Sequence, residues 1–310
     1  MKFRLIALVV FFFCGIGMSL AQESLTVISY NVENLFDNKH DTLKNDSSFL
    51  HDGEYHWTYR KYQNKLDQIA QVIVNISGWE SAVLVGLCEV ENARCMRDLC
   101  YRLKRFHYKY VHYESEDERG VDVALLYDST KVKILNSKPL PVDLHEDKTR
   151  DILYACCYIN NQDTVHTMVC HLPSRLGGGA TSEWKRTAAK QVIQQQIDSI
   201  LQEDAKANIV VMGDMNGEPK NDLKHMYNLM IDLETGQGTH KYKGIWSCLD
   251  QFYISEALIK RTTSKIYSPE WLMEKDSKYL DYQPKRTFVG FRYHGGYSDH
   301  LPIVLTIQNK

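Results

Sequence analysis

A layered α/β fold, with buried β-sheets covered by amphipathic helices, is what this 310-residue sequence predicts. Three observations carry the prediction. Near-continuous runs of Val, Ile and Leu recur along the chain, as they do in strands covered on both faces. Between them stand two long segments whose apolar residues repeat with the helical period. The composition, 44% hydrophobic and 25% charged, excludes a disordered or fibrous chain. With no internal repeat and no Pro- or Ser-rich linker, one domain over about 22–310 is favoured.

Taken in order, the chain opens on a targeting segment. Lys2 and Arg4 precede an apolar run from Leu5 to Gly17, and Ser19-Leu20-Ala21 places small residues where a signal peptidase cuts. Residues 1–21 therefore read as a cleaved secretory signal, and the mature protein as exported, periplasmic or extracellular. The run is too short for a comfortable membrane span, and Cys14 lacks a lipoprotein context, so no stable span is expected after cleavage. Strands are predicted over Leu25–Tyr30, Ala82–Cys88, Val121–Tyr127, Ile152–Ile159, Thr164–Cys170, Asn208–Gly213, Leu249–Ile254 and Leu301–Ile307. Helices are predicted over Lys61–Ile76, where Tyr62, Leu66, Ile69, Ile73 and Ile76 share a face, and over Thr181–Gln202, where Trp184, Ala188, Val192, Ile193, Ile197, Ile200 and Leu201 do. Cys95 and Cys100 fall in a third helical stretch. Residues 38–57 and the Gly-rich Leu176–Ala180 read as surface loops.

Charge and cysteine content narrow the function classes. The chain carries 37 Lys+Arg against 39 Asp+Glu. Loss of the signal takes two basic and no acidic groups, so a polyanion must be met by a local patch and not by a basic body. Seven cysteines remain without paired C-x-x-C spacing, which argues against structural zinc; Cys88, Cys156, Cys157 and Cys170 sit in apolar runs as small buried side chains. One oxidised pair stays open in an exported protein.

The chemistry shows at the strand ends. Asn31 and Glu33 follow the first strand, Glu89 the second, His171 the fifth, and Asp214 with Asn216 the sixth. Such groups have no packing reason to end buried strands, since burying them unpaired costs several kcal/mol; repeated at end after end, they point to a shared polar rim. Asp299-His300 stands at a turn before the last strand, and Asp250 is a carboxylate able to hold an imidazole in one tautomer.

Six segments in series, Ser29-Tyr30-Asn31-Val32-Glu33, Gly86-Leu87-Cys88-Glu89, His171-Leu172-Pro173-Ser174-Arg175, Gly213-Asp214-Met215-Asn216-Gly217, Leu249-Asp250-Gln251-Phe252 and Ser298-Asp299-His300, resemble the endonuclease/exonuclease/phosphatase superfamily typified by deoxyribonuclease I. Each alone is a weak signal; their order over residues 25–305 is specific. The resemblance implies a four-layer sandwich, two mixed sheets face to face with helices outside, and hydrolysis of phosphate esters with Mg²⁺, Mn²⁺ or Ca²⁺. It makes Glu89 the principal metal ligand with Asn31 and Asp299 nearby, and Glu33, where several relatives have Asp, a further ligand. Asp214 and Asn216 orient the nucleophile and bind phosphate, His300 with Asp250 forms a base-like dyad, and His171 protonates the leaving oxygen. Glu114 is favoured as the acidic partner of His171 over Glu116 and over Asp122, which falls inside a strand.

Hard oxygen donors suit these cations, and an imidazole near neutrality can take a proton from water. Arg119 and Arg175 are candidates for bidentate phosphate contacts. Glu91 reads as a loop acid or helix cap, His40, His51, His56, His107, His145 and His225 as surface or packing residues, Lys185-Arg186 and Lys285-Arg286 as solvated charges, and Trp57, Trp79, Trp184 and Trp246 as core or rim packing. The leading expectation is an exported monomeric nuclease acting on DNA or RNA. The alternative is a phosphatase or phosphodiesterase for inositol phosphates, phospholipids or nucleotides. A non-catalytic module is disfavoured by the intact acidic and imidazole set.

Overall fold

In the computed structural model, residues 24–175, 182–232 and 237–308 are described; the signal and the Leu176–Ala180 loop lie outside them. All eight predicted strands and the predicted helices form. The chain runs β1 (Ser24–Leu35), α1 (Tyr59–Ser77), β2 (Leu84–Val90), α2 (Ala93–Arg102), β3 (Tyr108–His112), β4 (Asp122–Asp128), β5 (Val132–Leu140), β6 (Ile152–Ile159), β7 (Asp163–His171), α3 (Glu183–Glu203) and β8 (Asn208–Asp214). It continues through β9 (Met226–Asn228), β10 (His240–Tyr242), β11 (Ile245–Ser247), β12 (Asp250–Ser255), β13 (Thr262–Ile266), β14 (Met273–Asp276), β15 (Asp281–Pro284), β16 (Phe288–Val289), β17 (Arg292–Tyr293) and β18 (Ile303–Gln308). The helices start where side chains satisfy exposed amides: Thr58 accepts from the Lys61 N–H, and Asn92 from the Cys95 N–H.

Two six-stranded mixed sheets form, ordered β13-β18-β1-β2-β4-β3 and β5-β6-β7-β8-β12-β9. Val27, Leu84, Cys88 and Leu305 of the first pack against Val169, Val210, Met212 and Phe252 of the second. The outer face of the first sheet is covered by α1 and α2 through Tyr62, Leu66, Ile69, Met96 and Leu99. The outer face of the second is covered by α3 through Ala189, Ile193, Ile197 and Ile200. This is the expected four-layer sandwich. The sheets approach so closely that a Cβ on Gly86 would meet Met212 Cε at 2.8 Å.

Both sheets share one arrangement at the same end. In the first, β1 and β2 run parallel and β18 is antiparallel to β1. In the second, β7 and β8 run parallel and β12 is antiparallel to β8. Each parallel pair thus brings two carboxyl-terminal ends to the rim where its antiparallel neighbour begins.

Several sequence expectations are corrected. The first strand does not stop at Tyr30 but runs to Leu35, with a register shift between Asn31 and Leu35. The edge strands β3, β5 and β13 escaped the apolar pattern because one face of each is exposed. Trp79 and Trp184 are exposed and not packed in the core, whereas Trp57 is buried. The seven cysteines among the described residues are all free thiols. No helix among the described residues is long and apolar enough to cross a membrane.

Candidate active site

The rim gathers the strand-end residues. His171 closes β7 and Asp214 closes β8 as direct register partners, and Asp250, the first residue of β12, pairs with Asp214 from the other side. Gly213 makes this approach possible: at φ 140° it lies so near β7 that a Cβ would sit 1.8 Å from the Cys170 carbonyl oxygen. Across the seam, Asn31 comes from β1 and Glu89 from β2, where a bulge between Cys88 and Val90 turns Glu89 to φ 68°. Asn216 is likewise left-handed at φ 47°. Such backbone costs about 1–3 kcal/mol per residue and concentrates at functional sites.

Asn31 ties the sheets together, its Nδ2 donating to Asp214 Oδ2 at 3.1 Å and to Glu89 Oε1 at 3.3 Å. Glu89 Oε2 accepts the Asn34 N–H at 2.8 Å. Asp214 Oδ1 accepts the Asn216 N–H at 2.8 Å, and Asn216 Nδ2 donates to the Leu172 carbonyl at 2.9 Å. Ser298 Oγ donates to the Asn31 carbonyl at 2.7 Å, seating the turn that carries Asp299 and His300 on the first sheet.

Two imidazoles flank Asp214. His300 Nδ1 bonds Asp250 Oδ2 at 2.7 Å, and its Nε2 lies 3.8 Å from Asp214 Oδ2. Burial pushes the His300 pKa down, but Asp250, Asp214 and Asp299 outweigh it and hold this ring well above its ordinary value, as an imidazolium. His171 Nε2 lies 3.6 Å from the same Asp214 oxygen and 3.9 Å from Glu89 Oε1. Burial, then Arg150, Arg119 and His300, drive its pKa well below the ordinary value, so it stays neutral. Burial lifts Asp214 to about 6 against the pull of His300. Between the two rings, Asp214 is the carboxylate that burial brings toward neutrality.

Other expected residues fall differently. Glu33 accepts the Thr287 and Phe288 amides at 2.6 and 3.3 Å, which fixes the 287–288 segment. Glu114 does not reach His171 in the structure: it faces His112 at 3.8 Å, and the His171 Nδ1 has no partner among the described residues. Asp122 accepts Ser115 and holds the preceding turn, as a structural charge. Glu91 lies in the loop between β2 and α2 but is buried, and it accepts the Asp37 N–H at 2.6 Å; the cap of α2 is Asn92. Arg175 Nε donates to the Asn216 carbonyl at 2.9 Å, placing a guanidinium at the rim. Arg119 is half-exposed, 3.8 Å from Asp117, and close enough to depress His171.

Four residues were missed. Arg150 is buried behind His171, paired with Asp117 at 2.9 Å. Arg186, expected to be solvated, is buried and donates to the Pro173 carbonyl at 3.2 Å, bracing the turn after His171. Lys65 of α1 is buried and donates to the Tyr297 carbonyl at 2.7 Å, behind the Asp299 turn. His240 lies beside His300, with 4.8 Å between ring centroids.

The residues fit a hard divalent cation. Two carboxylates, Glu89 and Asp214, share a single amide group between them, and neither faces a Lys or Arg within ion-pair distance among the described residues. Oxygen donors around such a concentration of negative charge suit Mg²⁺ or Mn²⁺.

Residues 26–309 match the Endonuclease/Exonuclease/phosphatase family. A truncated TDP2 from Caenorhabditis elegans is similar in structure at TM-score 0.59 and 14% identity, over 92% of this chain and 98% of that one. A mannosyl-6-phosphatase from Bacteroides thetaiotaomicron gives 0.59 at 13% identity over 91% and 98%, and the human Nocturnin catalytic domain with bound sulfate 0.58 at 17% over 92% and 95%. At such identities the likeness shows the fold. No curated protein sequence matches the chain. The match over nearly the whole chain shows that it belongs to the endonuclease/exonuclease/phosphatase family, whose members are metal-dependent hydrolases of phosphate esters.

Proposed function

We propose that the chain is an exported, divalent-metal-dependent phosphoesterase that hydrolyses DNA or RNA phosphodiester bonds by in-line attack of water. The observation that carries the chemistry is the array His171–Asp214–His300–Asp250, two buried imidazoles 3.6 and 3.8 Å from one Asp214 oxygen, the second held by Asp250 at 2.7 Å. Asp214 and Asn216 orient the water, and Asp214 accepts its proton. His300, held by Asp250, donates to a non-bridging phosphate oxygen as negative charge builds there. The substrate's charge offsets Arg150 and Arg119, so that His171 takes up a proton from solvent and passes it to the leaving oxygen. Glu89, Asn31 and Asp299 would hold a cation that supplies charge neutralisation. Arg175 contacts the phosphate from the rim.

One observation favours a second reading, a compact ester such as an inositol phosphate, a phospholipid headgroup or a nucleotide. A groove of about 460 Å³ is lined by Glu114, Glu116, Asp143, Asp147 and Asp151 with one lysine, Lys148. A long polyanion laid across it would be repelled.

Mature protein with Mg²⁺ or Mn²⁺ is to be incubated with plasmid DNA, RNA and a panel of inositol phosphates, phospholipids and nucleotides. Chelator and His300→Ala serve as controls. Nucleic-acid cleavage lost in both controls supports the first reading, turnover confined to the compact esters selects the second, and cleavage that survives both controls overturns the assignment.

A further inference from the structure

His240 plays no part in the chemistry above, yet it is held firmly beside it. An isolated antiparallel bridge joins His240 to His300, and the Leu301 N–H donates to the Thr239 carbonyl at 2.7 Å, so the two backbones are pinned together. The rings face each other at 42°, and Asp299 Oδ2 lies 3.9 Å from His240 Nε2. One ligand atom from each of His240, Asp299 and His300 lies within 4.8 Å of the other two. Because His300 Nδ1 is engaged by Asp250, its Nε2 is the nitrogen left to bind, oriented by a carboxylate as ligating histidines commonly are.

We propose that His240, Asp299 and His300 form a second cation site, specific for a zinc-class transition metal, which shares Asp299 with the oxygen-donor centre at Glu89 and Asn31. The donor chemistry makes the distinction. Two imidazole nitrogens and one carboxylate match Zn²⁺, Co²⁺ or Ni²⁺, whereas Mg²⁺ and Ca²⁺ prefer oxygen alone. A tetrahedral ion with bonds of about 2.0–2.1 Å needs its ligands roughly 3.4 Å apart, a closure of at most about 1.4 Å that side-chain torsions supply. Three protein ligands leave a fourth position for water. The His240 and Asp299 side chains retain 18% and 26% of their exposure, which gives the ion a way in. Occupancy releases the Nε2 proton of His300 to solvent and takes that nitrogen out of the reaction, so the same ion inhibits hydrolysis. That consequence rests on the role of His300 in the proposed function; the binding does not.

Metal-stripped mature protein is titrated with Zn²⁺ against a chromophoric chelator in excess Mg²⁺, in the wild type, His240→Gln and His225→Gln, a substitution outside the site. The site requires one zinc per chain that Mg²⁺ does not displace, weakened at least about tenfold in His240→Gln and unchanged in His225→Gln. Zinc that Mg²⁺ displaces, or that His240→Gln binds equally, overturns the proposal. Should His240→Gln fail to fold, the visible spectrum of Co²⁺ bound to the wild type decides instead: intense tetrahedral bands support nitrogen ligation, and their absence refutes it. Zinc binding in a chain that hydrolyses no phosphate ester leaves this site standing and removes the proposed function.

Discussion

His171 and His300 approach one oxygen, Asp214 Oδ2, from 3.6 and 3.8 Å, and both rings are buried. Burial alone would make both neutral. His300 instead carries a proton, because Asp250 bonds its Nδ1 and Asp299 adjoins it, while His171 has Arg150 behind it and no carboxylate on its Nδ1. Desolvation is common to both, so the neighbouring charges set the sign. The difference divides the site into a donating half and a neutral half around one shared acid.

The strongest way to break this contrast is Asp250→Asn, which keeps the shape of a fully buried residue and removes the anchor of His300. A fall in kcat of about 10³–10⁴-fold with KM little changed is expected, the order seen when a histidine loses its orienting carboxylate. Steady-state kinetics on the substrate found in the panel check it; near-normal kcat means His300 does not act as an imidazolium. Arg175→Ala tests whether the His171 half faces the substrate. Loss of a charge-assisted contact of about 1.5–3 kcal/mol raises KM by roughly ten- to a hundredfold. An unchanged KM places Arg175 outside the phosphate site.

Stability in chelator sharpens the contrast by sign. The unfolded chain protonates His171 below about pH 6.5, and the folded chain resists, so stability is present above that pH and lost as pH falls toward the folded value. Urea melts should show the wild type losing up to about 1.4 kcal/mol per pH unit more than His171→Gln on that acid side. His300 does the reverse: its contribution is full below the unfolded pKa and lost as pH rises through the folded one. Parallel profiles for wild type and His171→Gln would remove the basis of the comparison. The smallest effect is that of Arg150→Gln made together with Asp117→Asn, so that no buried charge is stranded. The His171 pKa should move up, read from imidazole proton shifts; no movement excludes Arg150 as a cause.

The site residues were legible where a polar group interrupts an apolar strand, as Asp214 does after Ile209–Met212 and Glu89 after Leu84–Cys88. Nothing in a buried strand explains such residues, so the pattern has few other readings. Arg150 escaped because it follows Glu146, Asp147 and Lys148, a stretch that reads as solvated. Lys65 did leave a signal: it lies three residues after Tyr62 and four before Ile69, on the apolar face of α1, where a lysine must find buried partners. His240 sits in a two-stranded ribbon too short for periodicity. For Glu114 and Glu33, chain position shows which acids lie near the rim and not where their oxygens turn: Glu114 faces His112, and Glu33 accepts the Thr287 and Phe288 amides.

The seam between the sheets has a mechanical consequence. Asn31 and Glu89 ride on one layer, His171, Asp214 and Asp250 on the other, and between them is side-chain packing such as Met212 against Gly86. An ångström of slip between the layers parts the two halves while every strand keeps its hydrogen bonds, and a displacement of that size removes about a hundredfold of rate. The interior that stabilises the protein is therefore also the gauge that sets its reacting distances, and wear in that packing will show in turnover before it shows in unfolding.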